Sequence, residues 1–156
     1  MKYFAVLFVS MLFYVIPTIY TTAQANEDRV YVGSEVCKEC HEDEYSTFKK
    51  YAKKSTSFES IMVMKTKITA AEFESCFECH TTGYGEKGGF VSEEKTPELK
   101  DAGCEVCHGP GSLHVETGGD LEEINHNLSI NDCTKCQNGN RIKAFNFKPL
   151  LFGGAH

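Results

Sequence analysis

The sequence has no tryptophan, and beyond residue 20 it has no long apolar run. The missing tryptophan and aliphatic runs, together with 13 glycines, leave little material for a conventional side-chain core. A second membrane-spanning segment is likewise not expected. Acidic residues outnumber basic ones, and the formal net charge is −6. This charge argues against nucleic acid as a partner.

The long apolar run that does occur lies near the N-terminus, over residues 3–19, and it follows the basic residue Lys2. An Ala-Gln-Ala sequence ends at residue 25 and supplies the small residues that a signal peptidase reads. We therefore expect a signal peptide at residues 1–25 and one domain at residues 26–156. An uncleaved membrane anchor is the alternative. Both interpretations place the domain outside the cytoplasm, in the periplasm or the extracellular space.

All eight cysteines occur in pairs with the spacing C-x-x-C, and none is left over. In three pairs a histidine directly follows the second cysteine, which is the attachment motif of c-type haem. Two thiols a short turn apart reach the two vinyl groups on one edge of a porphyrin, and the adjacent imidazole coordinates the iron. The complete motifs are motif 1 (Cys37, Cys40, His41), motif 2 (Cys76, Cys79, His80) and motif 3 (Cys104, Cys107, His108).

The fourth pair, Cys133 and Cys136, is followed by Gln137 in place of histidine. Glutamine is a poor iron ligand, so this pair predicts either an atypically ligated fourth haem or a disulfide. Zinc and a thioredoxin-like dithiol are competing interpretations of paired cysteines. Neither a zinc site nor such a dithiol requires a histidine directly after the second cysteine in several pairs.

Two helices are expected near the first two motifs, over residues 42–55 and 69–76. The first has acidic residues early and lysines late, as the helix dipole favours. The second begins with Thr69 and Glu72 in the arrangement of a capping box.

The rest of the chain between the motifs is expected to consist mainly of loops. Thr96 and Pro97 predict the N-cap and first residue of one short helical turn. The segment 81–90 is rich in glycine, which suits tight turns or a close approach to a porphyrin face. We therefore expect a mainly α fold with extensive loops, a small multihaem cytochrome c fold in which the haems form the core.

Two stretches of the sequence resemble a known family. CFECHTTGYGEKGGF, which begins at Cys76, and ELKDAGCEVCHGPG, which ends at Gly111, closely resemble the second and third haem motifs of the tetrahaem cytochrome c-554 family. The resemblance implies a loop-rich helical fold around four closely packed haems, three with two histidine ligands and one with an open face, here on His80. Members of this family are electron carriers of bacterial nitrogen oxidation and related extracytoplasmic pathways.

The resemblance also implies distal ligands for some of these haems. His114 matches the histidine that caps the first haem, and His126 lies where the family supplies the distal ligand of the fourth. A surface imidazole is the alternative for each of them. His156 has no certain counterpart, so it either ligates an iron or lies at a frayed end of the chain.

The first predicted helix departs from the family. Lys53 or Lys54 stands where the family has a histidine serving the third haem. A lysine can ligate iron only when its amine is deprotonated, and a solvated lysine is the alternative. Met62 and Met64 follow, and they are candidates either for a thioether ligand or for packing.

Three functions fit these patterns. The first is electron transfer through three covalent c-type haems, with a fourth as a further candidate, between redox partner proteins that dock on an acidic surface. The second is a haem enzyme that acts on a small nitrogen or oxygen species at the open face on His80. The third is a binding or structural role. A homo-oligomer is compatible with each of these functions.

Overall fold

The computed structural model describes residues 29–138, and this part of the chain contains helices, turns and loops without a strand. The prediction of a mainly α fold with extensive loops is therefore confirmed. The expected signal peptide and His156 lie outside the described residues. The α-helices are α1 (Ser34–Cys37), α2 (Glu42–Tyr51), α3 (Ser57–Met62), α4 (Ala70–Glu74), α5 (Phe77–His80), α6 (Glu105–His108), α7 (Ser112–Glu116) and α8 (Ile130–Thr134).

Three short 3₁₀ helices, Lys53–Thr56, Pro97–Leu99 and Leu121–Glu123, complete the helical elements of this part of the chain. Within residues 29–138, every helix is too short or too polar to span a bilayer.

Helix α2 ends four residues earlier than the sequence predicts. Ala52 adopts an extended backbone with ψ of 113°, and the chain then continues as a 3₁₀ helix. The Ser55 hydroxyl donates a hydrogen bond of 3.4 Å to the carbonyl of Lys49, one of the carbonyls that the end of α2 leaves without a helical partner. Burial of Ala52 and Ser55, which are 5% and 2% exposed, stabilises the break.

The capping box at the start of α4 is confirmed. The Thr69 hydroxyl accepts a hydrogen bond from the Glu72 amide at 3.3 Å, and the Glu72 carboxylate accepts one from the Thr69 amide at 2.9 Å. These contacts satisfy two of the N–H groups that a helix start leaves open. The predicted helix over 69–76 is divided, since α4 ends at Glu74 and α5 begins at Phe77.

The short turn between motifs 2 and 3 is only partly as predicted. Pro97 is the first residue of the 3₁₀ helix, as expected. The Thr96 side chain does not cap this helix, because its hydroxyl instead accepts a hydrogen bond of 2.9 Å from the amide of Val91. Thr96 thus ties the turn to the preceding loop.

The glycine-rich loop after motif 2 requires its glycines for a close backbone approach. Gly83 has a φ of 69°, in the left-handed region that favours glycine. A Cβ atom on Gly89 would collide with the carbonyl of Gly83. The approach allows the Phe90 amide to donate to the carbonyl of Thr82 at 2.9 Å, which closes the loop.

A side-chain core larger than the composition suggests lies beside motif 2. We call it the phenylalanine cluster. Its buried members are 1–8% exposed, and Phe77 packs against them with its ring centroid 5.2–6.0 Å from those of its aromatic neighbours. Burial stabilises a fold by about 1.5–3 kcal/mol for each large apolar side chain. The buried members are Phe58, Ile61, Phe73, Phe90 and Leu99.

Candidate haem-binding site

The four cysteine pairs adopt the same backbone turn. In each, the amide of the residue after the second cysteine donates a hydrogen bond to the carbonyl of the first cysteine. This turn brings two thiols and the following side chain to one end of a short helix, as the haem attachment reaction requires. None of the eight cysteines forms a disulfide. The bonds are His41 to Cys37 (2.9 Å), His80 to Cys76 (3.0 Å), His108 to Cys104 (3.1 Å) and Gln137 to Cys133 (2.9 Å).

Four of the predicted ligand histidines share one hydrogen-bonding arrangement. The Nδ1 atom of each lies close to a backbone carbonyl, which can only accept a hydrogen bond, so Nδ1 carries the proton. In this tautomer the lone pair is on Nε2, the state in which a neutral imidazole binds a metal ion. The Nδ1 partners are Ser57 for His80 (3.0 Å), Asn125 for His108 (2.8 Å), Asp120 for His114 (2.8 Å) and Leu121 for His126 (3.1 Å).

His41 of motif 1 lies opposite His114 on α7. Their ring centroids are 6.3 Å apart, and the ring planes differ by 18°. Two bonds of about 2 Å from imidazole nitrogens to one metal ion, with about 1 Å more on each side to the ring centre, require about 6 Å between centroids. This separation would allow the two imidazoles to hold one iron between them.

Motifs 1 and 3 are neighbours at their first cysteines. Interaction with Cys104 raises the pKa of the Cys37 thiol, and interaction with Cys37 lowers the pKa of Cys104 to about 6. The Cys104 amide also donates to the hydroxyl of Ser34 at 3.1 Å, at the start of α1. Two haem attachment turns that are distant in sequence are thus adjacent in the fold.

The fourth pair lies near motif 3. Burial raises the pKa of Cys133, Cys107 of motif 3 raises it further, and the charge of Lys54 lowers it. Lys54 also has its Nζ atom 5.9 Å from the centroid of the Phe48 ring. His126 accepts a hydrogen bond at Nε2 from the side-chain amide of Asn127 at 2.7 Å, so this histidine is engaged at both ring nitrogens.

The remaining candidate ligands of the first helical region are at the surface. Lys53 is exposed. Met62 and Met64 are 36% and 42% exposed, and neither belongs to the phenylalanine cluster. The structure therefore brings His114 close to a motif histidine and leaves these three side chains on the outside.

Ser57 supports motif 2 in a way that the sequence does not indicate. Its hydroxyl donates to the carbonyl of His80 at 2.9 Å and accepts from the amide of Ala102 at 2.8 Å. Its carbonyl accepts the Nδ1 proton of the same histidine. A serine with these contacts orients the motif 2 imidazole, but one serine among many carries no sequence signal.

Glu105 is the other important side chain that the sequence analysis missed. It lies between the two cysteines of motif 3, is 2% exposed, and accepts hydrogen bonds from the amides of Val32, Gly33 and Gly111. The string CEVCHGPG contains this residue, yet nothing in a single sequence distinguishes a buried glutamate from the exposed one in motif 2, Glu78.

The cysteine pairs do not combine into a site for a bare metal ion. Across residues 29–138, no three side chains of histidine, cysteine, aspartate or glutamate converge on a common point. Each pair instead belongs to its own turn, which is the arrangement that separate haem attachments require.

The family model described as cytochrome c554 and c-prime matches residues 36–109, which contain motifs 1, 2 and 3. This segment of the chain matches the cytochrome c-554 family. The match implies covalently bound haem c. The shared turns, the Nδ1-protonated histidines and the spacing of His41 and His114 fit that group.

One relative within the cytochrome c-554 family is the cytochrome c-554 of Nitrosomonas europaea, which is 32% identical to this chain over 94 residues. The match covers 54% of this chain and 40% of the length of that relative. No solved structure matches the chain.

Proposed function

We propose that this chain, a segment of which matches the cytochrome c-554 family, is an exported electron carrier with three covalent haems, on motifs 1, 2 and 3. The observation that carries the proposal is the attachment turn that these motifs share, in which the amide of each motif histidine donates a hydrogen bond of 2.9–3.1 Å to the carbonyl of the first cysteine. Haem, when bound, supplies an iron that stores one electron. The residues of the chain hold these groups, orient them and keep them close to one another.

The proximity of motifs 1 and 3 supports carriage of electrons across the protein. The Cys104 amide donates to the hydroxyl of Ser34, on the helix of motif 1, at 3.1 Å, so haems held by Cys37 and Cys104 would be close to each other. The effect of Cys107 on Cys133 brings the fourth pair to the same region. A carrier needs this proximity because an electron then crosses the protein without a large motion of the chain.

The candidate histidine ligands also favour a carrier. His41 and His114 would hold one iron between them, and an iron held by two histidines would leave no place for a substrate. The backbone carbonyl of Asp120 holds His114 in the ligating tautomer from 2.8 Å. We therefore propose His114 as the distal ligand of the haem on motif 1.

The fourth pair has the turn of a haem attachment site but not its histidine. Gln137 repeats the backbone hydrogen bond of the motif histidines, which supports attachment of a fourth haem. Glutamine supplies no imidazole, which weakens ligation. His126, at an exposed position ahead of this pair, is the proposed distal ligand if that haem is attached.

Two measurements on the purified, exported protein test the proposal. The intact mass counts covalent haems, and a reductive titration counts the electrons that the protein accepts without any substrate. We expect at least three haems and the same number of electrons. A mass with two or fewer haems would overturn the assignment, as would failure of every donor to reduce the protein.

A third measurement separates the carrier from the enzyme that acts at an open face on His80. We expect a low-spin spectrum that neither nitric oxide nor, in the oxidised protein, cyanide changes. Binding of nitric oxide or cyanide together with turnover of a small nitrogen or oxygen compound would favour the enzyme. The net charge of −6 further supports redox partners with basic docking surfaces.

A further inference from the structure

Glu105 is a buried acid that forms no ion pair with any residue of the described part of the chain. Its carboxylate is instead surrounded by backbone amides. Oε1 accepts from Val32 at 3.0 Å and from Gly111 at 2.8 Å, and Oε2 accepts from Gly33 at 2.8 Å and from Val32 at 3.2 Å. A group that receives only N–H donors on both oxygens acts as a carboxylate anion, because the protonated acid would turn one oxygen into a donor.

The partners of Glu105 belong to three different parts of the site. Val32 and Gly33 directly precede α1, which carries motif 1. Gly111 directly precedes α7, which carries His114. Glu105 itself begins α6, the helix of motif 3. One carboxylate thus joins the two segments that present His41 and His114 to each other, and it anchors both to motif 3.

The negative charge of Glu105 reaches both attachment turns. It raises the pKa of Tyr31, after burial and the charge of Glu86, and it also opposes ionisation of Cys37 and Cys104. An anion buried beside an iron stabilises the ferric state over the ferrous state, since the ferric state carries one more positive charge. Burial matters because water and salt do not screen the charge there.

We propose that Glu105 is a positioning residue that holds the His41–His114 pair in register and, as a buried anion, lowers the reduction potentials of the haems on motifs 1 and 3. This proposal rests on the proposed function, because it assumes that haems occupy these motifs. It adds a role for the Glu105 side chain, and the reduction potentials and spin states of the haems measure that role.

The test is a spectroelectrochemical titration of the haem-loaded Glu105→Gln variant beside the wild-type protein. Glutamine keeps the shape and removes the charge. A unit charge at about 10 Å in a medium of effective permittivity about 20 changes an equilibrium about tenfold. For a one-electron couple that equals a shift of about 59 mV. We expect the potentials of two haems to rise by about this amount.

The matched control is Glu39→Gln, which removes the same charge from an exposed glutamate inside motif 1. We expect a much smaller shift there, because solvent screens the charge. A Glu105→Gln protein with its full haem complement and with potentials equal to those of Glu39→Gln would overturn the proposal. A wild-type protein without covalent haem would instead overturn the proposed function, and the intact mass shows this before any titration.

A second variant, Glu105→Asp, keeps the charge on a side chain too short to reach Gly33 and Gly111 together. We expect potentials close to those of the wild type, but a partly high-spin haem on motif 1, because His114 is no longer held in register. A fully low-spin spectrum in this variant would overturn the positioning role. This variant also tests the proposal if Glu105→Gln does not accumulate.

Discussion

Motif 2 and the region of motifs 1 and 3 are held in place by different kinds of contact. Beside motif 2, the phenylalanine cluster packs around Phe77, which lies between the two cysteines of that motif. In the corresponding position of motif 3 stands Glu105, with its hydrogen bonds to three backbone amides. The same attachment turn is therefore supported by apolar burial in one place and by a buried anion in the other.

The two kinds of contact have different effects: the apolar cluster mainly stabilises the fold, and the Glu105 hydrogen bonds mainly fix the relative positions of helices. Apolar burial is strong but non-directional, so it stabilises the fold around motif 2 without specifying angles closely. Hydrogen bonds depend on distance and direction, so those of Glu105 specify the relative placement of two helices. We expect substitutions in the phenylalanine cluster to change mainly the free energy of unfolding, and substitutions near motifs 1 and 3 to change mainly the haem spectrum.

The largest expected effect on stability is that of Phe58→Ala. Phe58 is 5% exposed and its ring contacts Phe77 and Phe90. Loss of a buried phenylalanine leaves a cavity and lowers the free energy of unfolding by about 3–5 kcal/mol. Denaturant titration of the haem-loaded protein measures this change.

The control for Phe58→Ala is Tyr51→Ala, because Tyr51 is 58% exposed. This variant should lie within about 0.5 kcal/mol of the wild type. Equal losses in the two variants would show that the cluster is not a stabilising core.

A smaller effect on stability, with a clear spectral signature, is expected for His114→Ala. Covalent attachment and His41 would still hold a haem on motif 1, but that haem would lose its proposed distal ligand. We expect one haem to change from low spin to high spin while the others keep their spectra, and added imidazole to restore the low-spin signal.

Val115→Ala is the matched control for this variant, since Val115 is 47% exposed on the same helix. It should leave the spectrum unchanged. A low-spin spectrum in His114→Ala identical to that of the wild type would exclude His114 as a ligand.

The smallest expected effect is that of Thr69→Ala, which removes the hydroxyl from the capping box of α4. Loss of such a cap costs about 1 kcal/mol. Hydrogen bonds from the Thr69 backbone and hydroxyl lower the pKa of Glu72. The stability that the hydroxyl contributes through Glu72 is fully present above the pKa of Glu72 in the unfolded chain. It is lost as the pH falls through the lower pKa of Glu72 in the folded protein.

Denaturant titration at neutral and acidic pH measures this change, with Thr66→Ala, at an exposed position, as its control. The difference between Thr69→Ala and the wild type should therefore be larger at neutral pH than in acid. A difference that grows in acid would contradict this account of the capping box.

Much of the local structure was predictable from the sequence. The capping box at Thr69 and the first position of Pro97 follow from short-range rules, and both are as expected. The early end of α2 was not predictable, because it depends on the burial of Ala52 and Ser55 by residues elsewhere in the chain. The phenylalanine cluster was also missed, since its buried members are scattered over four segments and form no apolar run.

The sequence by itself determined the chemistry of this protein. A cysteine pair followed by histidine is complete within five residues, so the attachment turns of motifs 1, 2 and 3 are local and can be recognised from the sequence. Only the tertiary structure decided which turns touch and which histidine lies opposite His41. Those relations join residues far apart in the chain, such as Gly33 and Glu105 at a separation of 72 residues, and packing alone brings them together.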